Sequence, residues 1–257
     1  VELASGLEAG SELLVTAQVG REQPEGLSGQ PLAIPRLSGS PAASVQGAWA
    51  ATIDTAAKQA IVVDVQTDTV LLSKEAFQPM YPASMTKLMT AHIVFDQLAE
   101  GKLKLDDAFR VSEKAWRKGG SKMFVKVGDE VSVKDLLMGV IVQSGNDACI
   151  VVAEGIAGSE EQFAQLMNQK AKEMGLRNSH FKNSTGWPDD EHVMSPFDLY
   201  KLAYSSITKH PDYYPYYAEK EFTYSGITQP NRNLLLGENG VDGLKTGHTE
   251  ASGYGMT

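Results

Sequence analysis

A serine and a lysine stand three residues apart in the segment YPASMTK. Ser84 follows Pro82, Lys87 comes one helical turn later, and an apolar run continues from Leu88. Residues at i and i+3 share one face of a helix, so the amine of Lys87 can reach the hydroxyl of Ser84. A serine becomes a useful nucleophile when a base takes its proton. The spacing allows this chemistry, although a serine at a helix start is by itself more often an N-cap.

Two further tripeptides occur later in the chain. SGN at 144–146 separates two apolar segments that predict helices, and KTG at 245–247 ends a predicted strand. Each tripeptide alone is ordinary turn or strand-end sequence. The three patterns follow one another in the order, and on the elements, that one catalytic centre needs, and three chance matches are improbable. We therefore favour a catalytic serine over a simple helix cap.

Each motif residue suits a step of acyl transfer. Lys87 acts as a base only when burial or a neighbouring cation lowers the pKa of its ammonium, and Lys245 is a candidate for that cation. Ser144 can relay a proton to a leaving amine, and Asn146 can hold a substrate amide. Gly247 would let its strand approach a substrate backbone.

The elements that must position these residues are predicted from local patterns. Segments 61–65 and 69–72 are apolar runs on either side of the turn sequence QTD, and they predict a β-hairpin. Helix starts are predicted where a serine precedes an apolar segment, at Ser132, Ser159 and Ser195. Strand patterns return near the end of the chain. This order indicates an α+β domain in which distant strands join one sheet.

Together the three motifs resemble the signature of penicillin-binding proteins and class A β-lactamases. Residues from about 55 to 257 are similar to the low-molecular-mass penicillin-binding proteins, the serine D-alanyl-D-alanine carboxypeptidases, and the likeness extends to LLMGVIVQSGNDACIVVAEGIAGS and VDGLKTGHTEASGYGMT. The resemblance implies an antiparallel sheet flanked by a helical subdomain, as in serine β-lactamases and DD-peptidases. It also implies removal of the terminal D-alanine from peptidoglycan stem peptides, and acylation of the same serine by β-lactams.

Residue roles follow from the resemblance position by position. Ser84 is the nucleophile, Lys87 is its base, and Ser144 is the third catalytic residue. The backbone amides of Ser84 and His248 would form the oxyanion hole. Arg232 is the counterpart of an arginine that binds the substrate carboxylate. The implied substrate-binding residues are Asn146, Lys245, Thr246, Gly247, His248 and Arg232.

Composition limits the partners and cofactors. A net charge of −9 disfavours a nucleic-acid partner. No apolar run approaches the ~20 residues of a membrane span, so membrane contact would need an anchor that this chain does not contain. The five histidines are scattered and the single cysteine, Cys149, suits a buried core position, so we expect no metal and no cofactor. The resemblance implies a periplasmic or other extracytoplasmic location, peripheral to the inner membrane in a full-length protein.

Both ends of the chain depart from the resemblance. Residues 1–50 are punctuated by proline, glycine and serine, and they predict a flexible extension with no part in catalysis. An added strand at Leu13-Leu14-Val15, covering an open sheet edge, is the second-ranked interpretation. Residues 51–257 are expected to be the catalytic domain. The chain stops ten residues after Gly247, where the family continues with more strands, so we expect a domain truncated at its C-terminus.

Two alternative functions stay open at this stage. A serine β-lactamase shares the fold and the acylation chemistry, but class A enzymes use a second base to activate the deacylating water. The acidic segment GWPDDEH at 186–192 does not show the Glu-x-x-Leu-Asn pattern of that base. A truncated penicillin-binding module without turnover is the other alternative. The preferred stem peptide, the balance between carboxypeptidase and endopeptidase activity, and the oligomeric state are not readable from the sequence.

Overall fold

A computed structural model describes residues 13–19 and 55–257. The elements in chain order are β1 (Leu13–Val19), β2 (Gln59–Asp64), β3 (Thr69–Lys74), α1 (Lys87–Ala99), β4 (Ala108–Arg110), α2 (Glu113–Arg117), β5 (Glu130–Ser132), α3 (Val133–Ile141), α4 (Asn146–Ala157), α5 (Glu160–Met174), α6 (Pro196–Lys209), β6 (Glu221–Tyr224), β7 (Ile227–Pro230), β8 (Thr246–Thr249) and β9 (Gly253–Met256). Short 3-10 turns precede α1 and follow α6. The predicted α+β fold, an antiparallel sheet beside a helical part, is confirmed.

The main sheet joins strands from both ends of the described chain. Its order is β3-β2-β1-β9-β8, and every neighbouring pair is antiparallel. The predicted hairpin is the β2–β3 pair, with a bulge between Val62 and Val63. The pairs β4–β5 and β6–β7 form two small separate sheets. The strand that carries the KTG motif begins at Thr246, whereas the sequence pattern placed its end there.

Local sequence sets the start of several helices. The three predicted serine caps are confirmed, because the side chains of Ser132, Ser159 and Ser195 each accept the backbone N–H three residues further on at 3.0–3.1 Å. A cap of this kind contributes about 1 kcal/mol to stability. These caps determine where α3, α5 and α6 begin, and each of the three helices contacts α1.

Helix α1 lies at the centre of the helical part. The side chains of Leu88, Met89 and Phe95 are fully buried. The helix contacts α3, α4, α5 and α6. A helix with neighbours on several sides belongs in the interior of a domain. Because α1 begins at Lys87, this packing also fixes the position of the predicted base.

The prediction of a flexible N-terminal extension is wrong for residues 13–19. This segment is strand β1, which pairs with β2 from Leu13↔Asp64 to Gln18↔Gln59 and with β9 from Ala17↔Met256 to Val19↔Tyr254. The second-ranked interpretation, an added strand, describes it, although β1 lies between two strands instead of at an edge. Local composition could not reveal this pairing, because the partner strands are supplied by distant sequence. The other residues of 1–50 lie outside the described residues.

The position of β1 can be tested at Thr16. Its side chain is fully buried in the sheet, with its hydroxyl 3.5 Å from that of Thr257. We expect Thr16→Asp to lower the free energy of unfolding by about 3 kcal/mol or more, because a buried charge would have no partner. Thr16→Val removes one long hydrogen bond and should cost about 1 kcal/mol. Urea unfolding followed by circular dichroism measures both, and a Thr16→Asp protein as stable as the parent would place residues 13–19 outside the sheet.

Candidate active site

The serine of the first motif lies in a tight turn at the N-terminus of α1. Ser84 belongs to the 3-10 turn Ala83–Thr86, and Ala83 has a positive φ of 48°. This turn is in close contact with two glycines. A Cβ on Gly186 would overlap the carbonyl oxygen of Ala83, and a Cβ on Gly247 would lie 3.1 Å from the amide nitrogen of Ser84. Side chains at these positions would therefore displace the nucleophile.

The amine of Lys87 connects three parts of the site. Its Nζ lies 2.9 Å from Ser84 Oγ, 2.8 Å from Asn146 Oδ1 and 2.7 Å from the carbonyl oxygen of Thr185. As an ammonium, Lys87 donates a hydrogen bond to each oxygen. As a neutral amine, it keeps two donors for Asn146 and Thr185 and presents its lone pair to the Ser84 hydroxyl. The geometry therefore holds both protonation states without rearrangement.

Burial makes Lys87 a weaker base than an ordinary lysine. The residue is 1% exposed. The pKa of its ammonium is lowered to about 8: burial is the largest cause, the nearby charge of Lys118 acts in the same direction, and Cys149 and Asp147 act against it. The sequence analysis named Lys245 as the cation responsible. In the structure, burial is the largest cause, and the charge of Lys118 contributes. Lys245 also interacts with Lys87, because the charge of Lys87 lowers the pKa of the Lys245 ammonium. A fraction of Lys87 is therefore neutral near physiological pH.

Lys118 is held over an aromatic ring at the rim of the site. Its Nζ lies 4.3 Å from the centre of the Trp187 ring. Burial is the first cause that lowers the pKa of the Lys118 ammonium. The next residue, Gly119, accepts a hydrogen bond from Asn146 Nδ2 at 2.9 Å. Sequence reasoning missed Lys118 because no motif contains it and its distance from Lys87 is a tertiary property.

The second motif forms the turn before α4. Ser144 is 4% exposed and has a positive φ of 56°, so the turn holds its backbone in the left-handed region. Asp147, in the first turn of α4, is fully buried. Its carboxylate accepts the backbone N–H groups of Met123, Phe124 and Ala148 at 2.9 Å. Asp147 therefore fixes the loop that faces Asn146. The sequence indicated this role of Asp147 only by placing a carboxylate directly after the SGN motif.

The third motif lies along β8, next to the nucleophile turn. Lys245 is 2% exposed, and burial, followed by the charge of Lys87, lowers the pKa of its ammonium well below its usual range. Its Nζ donates to the carbonyl oxygen of Thr246 at 2.9 Å. His248 is exposed, with its ring 4.1 Å from that of Tyr254. The motif residues predicted to act together thus lie on adjoining elements.

Arg232 lies close enough to β8 to interact electrostatically with Lys245. Its charge also lowers the pKa of Lys245. The guanidinium donates to Gln229 Oε1 at 3.1 Å, and the backbone N–H of Arg232 donates to the carbonyl oxygen of Val142 at 3.3 Å. The side chain is exposed, so it can turn toward a bound anion.

The loop that precedes α6 forms hydrogen bonds with α1 and with the turn that carries Ser84. The hydroxyl of Thr90 donates to the carbonyl oxygen of Ser184 at 2.7 Å, and His192 Nε2 lies 2.9 Å from the hydroxyl of Thr86. His192 Nδ1 accepts the backbone N–H of Lys182 at 3.1 Å, so Nε2 carries the proton. Burial lowers the pKa of this ring to about 4, which keeps it neutral. The loop therefore holds the Thr185 carbonyl against Lys87.

A cavity of about 200 Å³ opens between this loop and the turn that carries Ser84. Its lining includes Tyr81, Trp187, Asp189, Asp190 and Thr249. The acidic segment 186–192, considered above for a β-lactamase, therefore lines a cavity next to the turn that carries Ser84.

The sequence of residues 45–257 matches the family described as D-alanyl-D-alanine carboxypeptidase. This match covers more than half of the chain. The chain belongs to that family. It is 41% identical over 210 residues to the D-alanyl-D-alanine carboxypeptidase DacF of Bacillus subtilis, which covers 78% of this chain and 53% of that protein. The chain thus spans about half the length of the curated relatives it matches.

Solved structures of the carboxypeptidase family and its relatives share the fold. The D-alanyl-D-alanine carboxypeptidase DacD from Francisella tularensis has a TM-score of 0.77 at 33% identity, over 83% of this chain and 64% of that one. Penicillin-binding protein D2 from Listeria monocytogenes, solved in an ampicillin-bound form, has a TM-score of 0.68 at 28% identity, over 76% of this chain and 81% of that one.

The depressed pKa of Lys87 predicts how acylation depends on pH. We expect the acylation rate with benzylpenicillin to rise with pH, with a midpoint near pH 8 where half of the Lys87 ammonium has lost its proton, and to level off at higher pH. Lys118→Met removes a cation that disfavours the ammonium, so it should move the rise to higher pH. Stopped-flow acylation at a series of pH values measures both.

Two variants control this experiment. Lys126→Met removes an exposed lysine from the same loop region and should leave the profile unchanged. Lys87→Arg should abolish acylation, because a guanidinium keeps its proton throughout this pH range. A rate that does not change between pH 6 and pH 10 in the parent protein would exclude Lys87 as the base.

Proposed function

We propose that this protein is a serine-type D-Ala-D-Ala carboxypeptidase that removes the terminal D-alanine from peptidoglycan stem peptides. The observation that carries the proposal is the buried amine of Lys87, which lies within hydrogen-bond distance of Ser84 Oγ, Asn146 Oδ1 and the Thr185 carbonyl. A nucleophile and a base of lowered pKa within hydrogen-bond distance of it are the first parts that acyl transfer requires.

Acylation starts with the neutral form of Lys87. The amine takes the proton of the Ser84 hydroxyl, and Oγ attacks the carbonyl carbon of the penultimate D-alanine. The backbone N–H groups of Ser84 and His248 stabilise the oxyanion. The C–N bond then breaks, and the proton passes through Ser144 to the amine of the departing D-alanine. An ester between Ser84 and the shortened peptide is left.

In deacylation, water is the nucleophile and the Ser84 oxygen is the leaving group. Lys87 accepts a proton from the water, which attacks the ester carbon, and Ser84 recovers its hydroxyl proton as the peptide leaves with a free carboxylate. The same ester forms when a β-lactam ring opens on Ser84. The ampicillin-bound structure of the Listeria relative supports β-lactams as ligands of this site.

Two basic residues, Lys245 of the third motif and Arg232 before it, suit the carboxylate of the terminal D-alanine. Lys245 is buried beside Thr246, and the exposed guanidinium of Arg232 is close enough to lower the pKa of Lys245. A guanidinium binds a carboxylate through two parallel hydrogen bonds. Gly247 lets β8 lie against the nucleophile turn. We infer that Arg232, Thr246 and Lys245 select peptides with a free C-terminus.

This chemistry belongs outside the cytoplasm, where peptidoglycan is exposed. We propose a periplasmic or other extracytoplasmic location, in agreement with the D-alanyl-D-alanine carboxypeptidase among the relatives. Among the helices that the structure describes, none is long and apolar enough to cross a membrane.

The assignment of Ser84 predicts a single covalent adduct. Incubation with benzylpenicillin should add the mass of one penicilloyl group, and peptide mapping should place it on Ser84. Ser84→Ala should remove the adduct while the unfolding midpoint stays near that of the parent. Cys149→Ala is the matched control, because burial raises the pKa of that thiol to about 12 and leaves it unreactive. An adduct that persists in Ser84→Ala would refute the assignment.

Turnover separates the proposal from its alternatives. We expect release of D-alanine from an N-acylated L-Lys-D-Ala-D-Ala tripeptide, and slow release of the penicilloyl group. Continuous hydrolysis of nitrocefin would instead indicate a β-lactamase. Penicillin labelling without D-alanine release would indicate a binding module without turnover, the alternative raised from the sequence.

A further inference from the structure

Three groups that can bind a metal ion meet on the helical part, away from the catalytic motifs. His92 and Asp96 are one turn apart on α1, and His210 directly follows α6. Their ligand atoms all lie within 4.8 Å of one another. Asp96 is nine residues beyond Lys87, which corresponds to about 13 Å along the helix axis. The cluster is therefore separate from the site described above.

The hydrogen bonds of His92 fix which nitrogen carries its proton. The hydroxyl of Ser206 donates to the carbonyl oxygen of Leu202 at 3.0 Å, so its oxygen accepts from His92 Nδ1 at 2.9 Å. The lone pair of His92 is then on Nε2. This atom faces Asp96 Oδ1 at 3.9 Å, and no hydrogen bond reaches it within the described part of the chain.

A lone pair that faces a carboxylate in a buried place is electrostatically unfavourable. The ring of His92 is 1% exposed. A cation between the imidazole nitrogen and the carboxylate oxygen would convert this repulsion into two attractive contacts. The neighbouring hydroxyl of Ser206 already orients the ring, as partners of metal-bound histidines commonly do.

His210 completes the set of donors. Its Nε2 lies 2.9 Å from Asp96 Oδ1, and its Nδ1 is buried without a hydrogen-bond partner in the described residues. The rings of His92 and His210 meet edge to face, with centres 5.0 Å apart.

Lys170 occupies only one side of the carboxylate. Its Nζ lies 2.8 Å from Asp96 Oδ2 and 3.2 Å from Glu173 Oε2, and Oδ1 is left for the cluster. The side chain of Asp96 is 17% exposed, so an ion from solvent can reach it. Two imidazoles and one carboxylate suit zinc, cobalt or nickel, whereas magnesium and calcium prefer oxygen ligands alone.

We propose that His92, Asp96 and His210 bind a divalent transition metal ion of the zinc class, which ties α1 to the end of α6. The ion would bind the folded chain and stabilise it, because the unfolded chain does not bring these residues together. The scattered histidines of the sequence led us to expect no metal. The fold nevertheless brings His210 next to Asp96, although the two residues are 114 positions apart.

Cobalt provides a direct probe of the site. Chelator-treated protein, full length, is titrated with Co²⁺ and with Zn²⁺. We expect one equivalent of Co²⁺ to produce visible ligand-field absorption bands, Zn²⁺ to displace it, and Zn²⁺ to raise the thermal unfolding midpoint by several degrees. Asp96→Asn and His210→Gln should each weaken binding at least tenfold. Their unfolding midpoints without metal show whether each variant is folded.

Surface histidines supply the matched control. His180→Ala and His248→Ala remove exposed imidazoles, and both variants should bind Co²⁺ as the parent does. The proposal is overturned if the parent gives no bands and no heat on titration. It is also overturned if folded Asp96→Asn binds as tightly as the parent, or if binding is lost in either surface variant.

Discussion

A lysine amine removed from water must lose its proton or find oxygen acceptors, and Lys87 is placed to do both. Its three neighbours are a serine hydroxyl, an asparagine side chain and a backbone carbonyl, each within 2.9 Å. They belong to the nucleophile turn, the start of α4 and the loop before α6. The fold must therefore bring three distant segments to one atom, and the central burial of α1 makes this possible.

Close approach between backbones sets the geometry around that amine. Gly186 contacts the carbonyl of Ala83, and Gly247 contacts the amide of Ser84. These two glycines bring the loop before α6 and strand β8 against opposite sides of one turn. Hydrogen bonds from His192 to the Thr86 hydroxyl and from the Thr90 hydroxyl to the Ser184 carbonyl then hold the loop. The turn that carries Ser84 is therefore held in place by both the loop and the strand.

The local features of this protein could be predicted from its sequence, and the tertiary ones could not. Motif spacing indicated the contact of Lys87 with Ser84, and serine patterns indicated the starts of α3, α5 and α6. Spacing carries no information on Lys118, whose effect on Lys87 arises from packing. The same holds for β1, whose neighbours in the sheet come from residues 59–64 and 253–256. A short apolar run in a proline-rich region gave no sign of these partners.

The central claim is that burial holds Lys87 ready to act as a base, and its own titration is the most direct test. Protein labelled with ¹³C at lysine Cε reports the protonation of each amine through its chemical shift, and the signal missing from Lys87→Arg identifies Lys87. The account predicts a midpoint near pH 8 for this signal, well below the midpoints that are usual for exposed lysines. A midpoint near 10.5, the ordinary value of a lysine, would contradict it.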